Sequence, residues 1–387
     1  MRVGIVTKEW PPQIYGGAGV HVFQLTQALR TLADTQVDVH CFGGARSDGA
    51  FGYEVPSGFE GSNPALQALA TDLAIADRLS DVDVVHSHTW YANMAGHIAS
   101  QMYNIPHIVS AHSLEPLRPW KAEQLGSGYR ISSWAEKTAY ESAAAIIAVS
   151  DGMRADVLKA YPTVDPAKVV TIRNGVDTER FKPNRSPEVL EKYGVDQRYA
   201  LFVGRITRQK GLAHLLRAWQ NVPSDYGLVL AAGSPDEPGI GQEVSDLIAE
   251  LQKHRSNVLW IKEMLPHNEL TALLTYADLF LCPSIYEPLG IVNLEAMGCQ
   301  TPVLASAVGG IPEVVADGVT GRLVPYTEND PAQFEAALTS GIIEMMSDKE
   351  RLVAMGEAGR ERAQREFGWP AVARATLDLY SRVLRAN

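Results

Sequence analysis

Short apolar runs rich in β-branched residues alternate with helix-patterned segments along nearly the whole chain, and this alternation restricts the possible folds more than any other feature. Strands that alternate with helices predict a parallel sheet with helices on both faces. The first series of predicted strands is Val3–Val6, Val37–Cys41, Val82–His86, His107–Ala111, Ala145–Val149 and Val169–Ile172. A second series follows with Ala200–Val203, Leu228–Ala232, Val258–Ile261, Leu279–Cys282, Pro302–Ala305 and Arg322–Val324. The sequence therefore predicts an α/β protein with two doubly wound, Rossmann-like parallel-sheet domains.

A polar segment, residues 174–186, carries Pro183 and shows no apolar period, so we place the domain boundary at its start. The predicted domains are residues 1–173 and 174–368, and 387 residues are enough for two separate cores. Residues 369–387 have apolar positions at helical spacing and predict a terminal helix that crosses back onto the first domain. Two such domains are expected to face each other across a cleft at the carboxyl ends of their sheets, where ligands of α/β proteins bind.

Charge and composition exclude several classes of partner. The formal net charge of −11 does not favour nucleic acid. Residues 1–168 contain 12 Lys and Arg against 17 Asp and Glu, so the first domain lacks the basic balance of a protein that docks on anionic membranes. No apolar stretch is long enough to cross a bilayer, and residues 1–7 predict a strand, not a signal peptide. We therefore expect a cytoplasmic protein with no membrane partner. The three cysteines show no metal-ligand spacing, which predicts neither a zinc site nor a disulfide.

The segment 278–298 joins a buried strand to a helix through a turn broken by prolines. Glu287 lies in the turn, and Glu295, after seven intervening residues, lies about two turns into the helix predicted over Leu289–Met297. The start of that helix offers free N–H groups and the positive end of the helix dipole to a phosphate. Taken alone, this spacing is explained better by a capped helix with one solvated glutamate than by a ligand site.

The second predicted domain opens with a glycine and two cations in the pattern G-R-x4-K-G. Gly204 allows a turn at the end of the predicted strand Ala200–Val203, and Arg205 and Lys210 follow it. These cations suit a diphosphate, although a solvated cationic loop is the plain alternative. Lys262 follows a later predicted strand, Val258–Ile261.

A glycine-rich loop, with Gly16, Gly17 and Gly19, precedes the first predicted helix. It could admit a diphosphate to the backbone, and a tight turn explains it equally well. The loop is not G-x-G-x-x-G, and the chain contains no G-x-x-x-x-G-K-[ST], so neither a nicotinamide site nor a P-loop is supported.

Polar residues follow the third and fourth predicted strands and are expected to reach the cleft. They are His86, Ser87, His88, Thr89 and Trp90, then His112 and Ser113. A hydrogen-bonded structural role is favoured for His86 and His88, and a ligand contact for His112. The ring of Trp90 is predicted to stack on a sugar. In the segment 114–136, Arg118, Lys121 and Arg130 are either solvated charges or, for at least one of them, contacts to an acceptor phosphate.

The E-x7-E pair, the G-R-x4-K-G pattern and the glycine-rich loop together resemble those of retaining glycosyltransferases of family 4, which have the GT-B fold of two Rossmann-like domains. The resemblance covers nearly the whole chain. Within the family, KEWPP, HSHTWYANMAGH and SAHSLEPLRPWK are similar to segments of the actinobacterial enzymes that make glycogen or α-maltose 1-phosphate.

The resemblance implies roles residue by residue. The catalytic residues would be Glu287 and His112 at the donor sugar, with Glu287 not acting as a nucleophile, and Arg205 and Lys210 at the departing diphosphate. Donor-binding residues would be Gly17, Gly204, Lys262, Leu289, Gly290, Ile291 and, at the ribose, Glu295. Acceptor-binding residues would be Glu9, Tyr15, Thr89, Trp90, Ser113, Arg118, Lys121 and Arg130. Two positions depart from the family: relatives usually carry Lys at position 15 and, in the longer glycogen synthases, Asp at position 89. The absence of that Asp removes a repulsive charge, which suits an anionic acceptor.

The activity implied is transfer of glucose from ADP-glucose, or from UDP-glucose, to glucose 1-phosphate, giving α-maltose 1-phosphate for α-glucan synthesis. No cofactor and no metal would be needed. Three alternatives stay open: a glycogen synthase that extends α-1,4-glucan chains, transfer to another phosphorylated polyol or a lipid, and a nucleotide-sugar-binding module without turnover. The presence of both glutamates and both cations argues against the last. A homodimer is expected by analogy with relatives.

Overall fold

The computed structural model describes residues 1–14, 16–118 and 126–386. The chain forms two compact units, one comprising Met1–Gly175 with Trp369–Asn387 and the other comprising Val176–Gly368. The domain boundary predicted at residue 174 lies two residues before Val176, where the second unit begins.

The first unit is built on a sheet of seven parallel strands in the order β3-β2-β1-β4-β5-β6-β7. The strands are β1 Arg2–Thr7, β2 Gln36–Phe42, β3 Phe51–Tyr53, β4 Val84–His88, β5 His107–Ala111, β6 Ala145–Ala148 and β7 Val169–Thr171. The helices are α1 Gly17–Arg30, α2 Pro64–Ala76, α3 Trp90–Tyr103, α4 Gly128–Ser142 and α5 Asp151–Ala160, with single 3₁₀ turns at Glu115–Leu117 and Pro166–Lys168. Strand order reverses between β1 and β4, so the loops that follow these two strands lie at the switch point where α/β sheets bind ligands.

The second unit repeats the architecture with six parallel strands in the order β10-β9-β8-β11-β12-β13. The strands are β8 Tyr199–Ile206, β9 Gly227–Pro235, β10 Val258–Ile261, β11 Leu279–Cys282, β12 Val303–Ser306 and β13 Gly321–Val324. The helices are α6 Glu188–Tyr193, α7 Leu212–Trp219, α8 Pro238–His254, α9 His267–Tyr276, α10 Ile291–Gly298, α11 Ile311–Val314, α12 Pro331–Ser347 and α13 Lys349–Glu366, with a 3₁₀ turn at Arg208–Lys210. Here the order reverses between β8 and β11.

The last helix, α14 Trp369–Ala386, belongs to the first unit. It packs against α1 through a buried stripe of Trp369, Val372, Leu379, Tyr380 and Val383. The repeated α/β architecture thus confirms the predicted fold class.

Two strand predictions need correction. The short strand β3 was not predicted, because its three residues are half-buried or exposed and carry no apolar period. Strand β4 begins and ends two residues later than the predicted Val82–His86, so Ser87 and His88 lie inside the sheet and not after it. Polar side chains can be buried in this strand because they are hydrogen-bonded. His86 bonds Ser110 and Tyr380, and Ser87 bonds Asn93 and His107.

All three cysteines of the chain are buried and unpaired, as predicted. In the part of the chain that the structure describes, no helix combines the length and the apolar character needed to cross a bilayer.

Candidate active site

In the second unit, the turn between β11 and α10 lies at the switch point of the sheet. Helix α10 begins at Ile291, two residues later than predicted, because Gly290 takes a left-handed conformation with φ +93° and ends the turn. A side chain at position 290 would come within 2.6 Å of the Asn293 amide, so the close approach also requires glycine. No side chain caps the helix start, which leaves it open toward a ligand.

Glu287, in that turn, forms a buried ion pair with Lys210. The Nζ atom of Lys210 lies 2.6 Å from Oε2 of Glu287, and the two side chains are 20% and 9% exposed. The hydroxyl of Ser284 donates a second, longer bond to the same oxygen at 3.3 Å. Burial acts to lower the pKa of Lys210, but the Glu287 carboxylate outweighs burial and the pKa is raised above its ordinary value. Lys210 is therefore a fixed cation held beside the helix start.

Backbone contacts hold the Lys210 loop and the Glu287 loop together. Lys210 ends the 3₁₀ turn that follows β8, and Gly211 continues with φ +64°. A side chain at Gly211 would lie 1.9 Å from the carbonyl oxygen of Pro283, and the amide of Ile285 donates to the carbonyl of Gln209 at 2.9 Å. The two loops follow the adjacent strands β8 and β11, so the sheet topology determines the pairing of lysine and glutamate.

Arg205 lies inside strand β8 and not in the loop after it, which corrects the predicted turn at Gly204. The strand continues to Ile206, with an irregularity of register after Gly204. Arg205 forms a two-point ion pair with Asp236, whose two oxygens lie 2.7 Å from the same guanidinium nitrogen, and its side chain is 41% exposed. The structure therefore brings Lys210 to Glu287, while Arg205 is bonded to Asp236. Sequence reasoning missed Asp236 because it lies 31 residues further along the chain and no motif includes it.

The other predicted donor residues of the second unit lie on α10 and in the loops before it and after β10. Glu295 is the fifth residue of α10, and burial raises its pKa to about 7 against the opposing charges of Arg180 and Lys210. Leu289 is only 1% exposed, so its side chain packs inside the unit. Lys262 is exposed after β10, with its Nζ atom 4.2 Å from the centre of the Trp260 ring.

In the first unit, Glu9 occupies the start of α1. The amide of Gly16 donates to Oε2 of Glu9 at 2.8 Å, and a side chain at Gly19 would lie 2.5 Å from the same oxygen. The glycines therefore let a carboxylate of the chain itself approach the helix start, which is the place where a diphosphate was expected. Gly17 is the first residue of that helix, and Tyr15 lies outside the described residues.

His112 follows β5, and its Nε2 atom lies 3.0 Å from Nδ1 of His88. Burial lowers the pKa of His112 to about 4, so its ring is neutral at pH 7. A neutral imidazole can donate one hydrogen bond and accept another, which fits it to a sugar hydroxyl better than to an anion. His112 is partly exposed, whereas His88 is fully buried.

The predicted acceptor residues divide into exposed and buried ones. Thr89 ends the turn before α3 with φ +66°, a strained conformation for a β-branched residue, and such strain clusters at functional sites. The hydroxyl of Ser113 accepts from Arg118 at 3.2 Å, and Arg130 is exposed in the first turn of α4. Lys121 lies outside the described residues.

The predicted sugar-stacking role of Trp90 is wrong. Its side chain is 5% exposed and packs on Ala65 and Ala68 of α2, with the Tyr91 ring stacked on it at 4.0 Å between ring centres. As the first residue of α3, Trp90 is directed into the layer between α2 and α3 and not toward solvent. The apolar body of the indole is stabilised more by this burial than by exposure at the helix start.

A buried carboxylate pair at the base of the predicted acceptor loop was missed. Glu115 and Glu136 are 1% and 2% exposed, and Oε1 of Glu136 accepts bonds from the Glu115 amide at 2.8 Å and from the Tyr161 hydroxyl. The hydroxyl of Ser132 donates to Glu115 at 2.5 Å. Burial first, and the nearby Glu115 second, raise the pKa of Glu136 to about 8. Two acids separated by 21 residues carry no recognisable pattern in a sequence.

Two family descriptions match the chain: "Glycosyltransferase Family 4" over residues 15–180 and "Glycosyl transferases group 1" over residues 187–362. The chain is 52% identical to the alpha-maltose-1-phosphate synthase of Mycolicibacterium smegmatis over 99% of its own length and 100% of that protein. It is 29% identical to the glycogen synthase of Mycobacterium tuberculosis, over 98% of its own length and 94% of that protein. Among solved structures, sucrose-phosphate synthase from Thermosynechococcus elongatus superposes with a TM-score of 0.83 at 23% identity, covering 100% of both chains.

Proposed function

The chain belongs to glycosyltransferase family 4, and on that premise we propose that it transfers glucose from ADP-glucose to glucose 1-phosphate and so makes α-maltose 1-phosphate with retention of configuration. The observation that carries the acceptor is the 52% identity, over the full length of both proteins, to an enzyme named alpha-maltose-1-phosphate synthase. Identity to the glycogen synthase is much lower, at 29%. The chemistry of the site supports the transfer step.

On the donor side, Lys210 and the start of α10 stabilise the departing diphosphate. As the anomeric C–O bond breaks, negative charge flows onto the diphosphate, and groups that bind this charge more tightly in the transition state accelerate the step. The ammonium of Lys210 has three N–H donors, so it can keep its 2.6 Å bond to Glu287 and still donate to a phosphate oxygen. Arg205, inside β8 and bonded to Asp236, adds a second cation. With these charges, the proposed reaction needs no metal and no cofactor.

Glu287 and His112 are proposed to contact the donor glucose. Lys210 and Ser284 both bond Oε2 of Glu287, which orients the carboxylate. The carboxylate is therefore suited to accept hydrogen bonds from sugar hydroxyls and not to attack carbon. Because Nε2 of His112 is bonded to His88, the other nitrogen of its neutral ring is left to contact the sugar. The acceptor hydroxyl would then attack on the face that the diphosphate leaves, which gives retention.

On the acceptor side, Arg118 and Arg130 are the described cations proposed to bind the phosphate of glucose 1-phosphate. Arg118 is oriented by Ser113, and Arg130 is exposed. Thr89 brings no negative charge that would repel the phosphate.

Extension of α-1,4-glucan is the second candidate, since the glycogen synthase relative also spans 98% of this chain. The purified protein is incubated with ADP-glucose or UDP-glucose and with glucose 1-phosphate or glycogen, and the products are identified by mass spectrometry and by the anomeric coupling in NMR. We expect α-maltose 1-phosphate from ADP-glucose and glucose 1-phosphate. Glucan extension with no disaccharide phosphate would overturn the proposed acceptor.

A further inference from the structure

Three histidines of the first unit lie together at the carboxyl ends of adjacent strands. His21 is on α1, which follows β1, His88 is the last residue of β4, and His112 follows β5. One ring nitrogen of each lies within 4.8 Å of the corresponding atoms of the other two. Strands β1, β4 and β5 are neighbours in the sheet, so the topology of the fold places the three imidazoles at one point.

The same point contains several buried polar atoms without a hydrogen-bond partner among the described residues. They are both ring nitrogens of His21, Nε2 of His88 and the side-chain oxygen of Asn174. His21 is 2% exposed and His88 is 0% exposed, and the amide of Asn174 faces His21. Asn174 can satisfy one ring nitrogen of His21, which leaves the other ring nitrogen of His21 and Nε2 of His88 without a partner. Buried polar atoms usually have a partner, so these two indicate that a further group can bind there.

The chemistry of the three side chains selects the kind of group. Each of the three imidazole rings can offer a nitrogen lone pair to a metal ion, and the three nitrogens lie within 4.8 Å of one another. Imidazole nitrogens favour Zn²⁺, Co²⁺ and Ni²⁺, whereas Mg²⁺ and Ca²⁺ prefer oxygen ligands.

One separation inside the group also fits two nitrogens bound to the same metal ion, although these two atoms are hydrogen-bonded to each other in the metal-free group. Nδ1 of His88 lies 3.0 Å from Nε2 of His112. That separation is near the edge, about 3.3 Å, of a tetrahedron with metal–nitrogen bonds of about 2.0 Å. His112 is the most exposed of the three histidines, so an ion would reach the group from its side.

We propose that His21, His88 and His112 bind one divalent transition-metal ion of the zinc type, and that this ion inhibits the transfer reaction. Bonding to the metal would engage the ring that His112 offers to the donor sugar. The side chain of Asn174 would accept from the second ring nitrogen of His21, as outer partners of metal-bound histidines commonly do. The inhibitory part rests on the proposed function, and the binding part does not.

Binding is tested on the untagged, chelator-treated full chain by titration with Co²⁺ and measurement of its visible absorption. We expect a saturable band at about one equivalent, with an affinity at least about 10-fold weaker in His21→Phe. This variant removes the two ring nitrogens of His21 and keeps an aromatic ring against Trp369, whose ring centre lies 5.4 Å from that of His21. We therefore expect it to fold, and thermal unfolding checks this. His254→Asn, at an exposed histidine of the second unit, should titrate and turn over like the wild type.

Inhibition is tested by adding Zn²⁺ to the transfer assay and then restoring activity with a chelator. We expect the midpoint of inhibition to match the midpoint of binding and to shift to higher Zn²⁺ in His21→Phe. The site is refuted if the wild type gives no band or if His21→Phe titrates identically. Binding without inhibition refutes the inhibitory role. If the metal-free protein shows no transfer at all, the proposed function fails, and the Co²⁺ titration still decides whether the site exists.

Discussion

Replacement of Lys210 by Met separates the catalytic role of this cation from its structural role. The variant leaves Glu287, whose side chain is 9% exposed, with Ser284 at 3.3 Å as its remaining bond among the described contacts. Loss of one partner of a buried ion pair costs about 3 to 5 kcal/mol. Because the Lys210 side chain is 20% exposed, water can reach part of the site, and we expect a loss of about 3 kcal/mol in the free energy of unfolding.

The matching double variant, Lys210→Met with Glu287→Met, should recover most of that loss, since apolar groups can replace both members of a buried pair at little cost. Activity should not recover. If Lys210 carries charge in the transition state, kcat/KM falls at least about 100-fold in both variants, which is about 2.7 kcal/mol.

Stability is measured by urea unfolding and activity by formation of the disaccharide phosphate. Lys253→Met is the control, because Lys253 forms an ion pair of the same 2.6 Å length with Glu250 but the two side chains are 64% and 51% exposed. Its effect on stability should stay below about 1 kcal/mol. Near-normal turnover by Lys210→Met would refute the catalytic assignment, and a coupling energy near zero in the double-mutant cycle would refute the energetic argument.

Three further predictions concern single residues. Stability should fall as pH rises from about 4.5 to about 8, because folded Glu136 keeps its proton up to about pH 8 while the unfolded chain loses it earlier. Between these pH values the free energy of unfolding should fall by up to about 5 kcal/mol, and Glu136→Gln should remove this pH dependence. An unchanged pH profile of urea unfolding in the variant would contradict the raised pKa of Glu136. Thr89→Gly relieves a strained φ of +66° and should raise the melting temperature, with a gain of about 1 kcal/mol in the free energy of unfolding. Thr89→Ala is the control, because alanine keeps the strain. Gly211→Ala places a methyl group 1.9 Å from the Pro283 carbonyl oxygen and should lower both the stability and the transfer activity. Gly194→Ala, at φ +65° with open space around it, should lower only the free energy of chemical unfolding, by about 1 kcal/mol. Equal losses at the two glycines would show that φ alone matters.

Local pattern predicted much of this fold because the elements are regular. Twelve strands were predicted from apolar runs, and residues 1–14, 16–118 and 126–386 form 13 in two parallel sheets. The pattern failed where polar residues are buried: Ser87 and His88 were placed after β4 because only their hydrogen-bond partners, which lie far along the chain, reveal that they belong to the strand. Trp90 was assigned a sugar-stacking role for the opposite reason, since nothing local shows that α2 covers it.

The sequence by itself determined the two doubly wound domains and the motif positions of Lys210 and Glu287, because periodicity and short spacings are local properties of a chain. Only the tertiary structure decided which groups these residues meet. The adjacency of β8 and β11 joins Lys210 to Glu287 over 77 residues, while Asp236 binds Arg205. The buried histidine group likewise depends on three strands that are neighbours in the sheet and distant in the chain. Such contacts depend on strand order and burial, and a linear pattern carries neither.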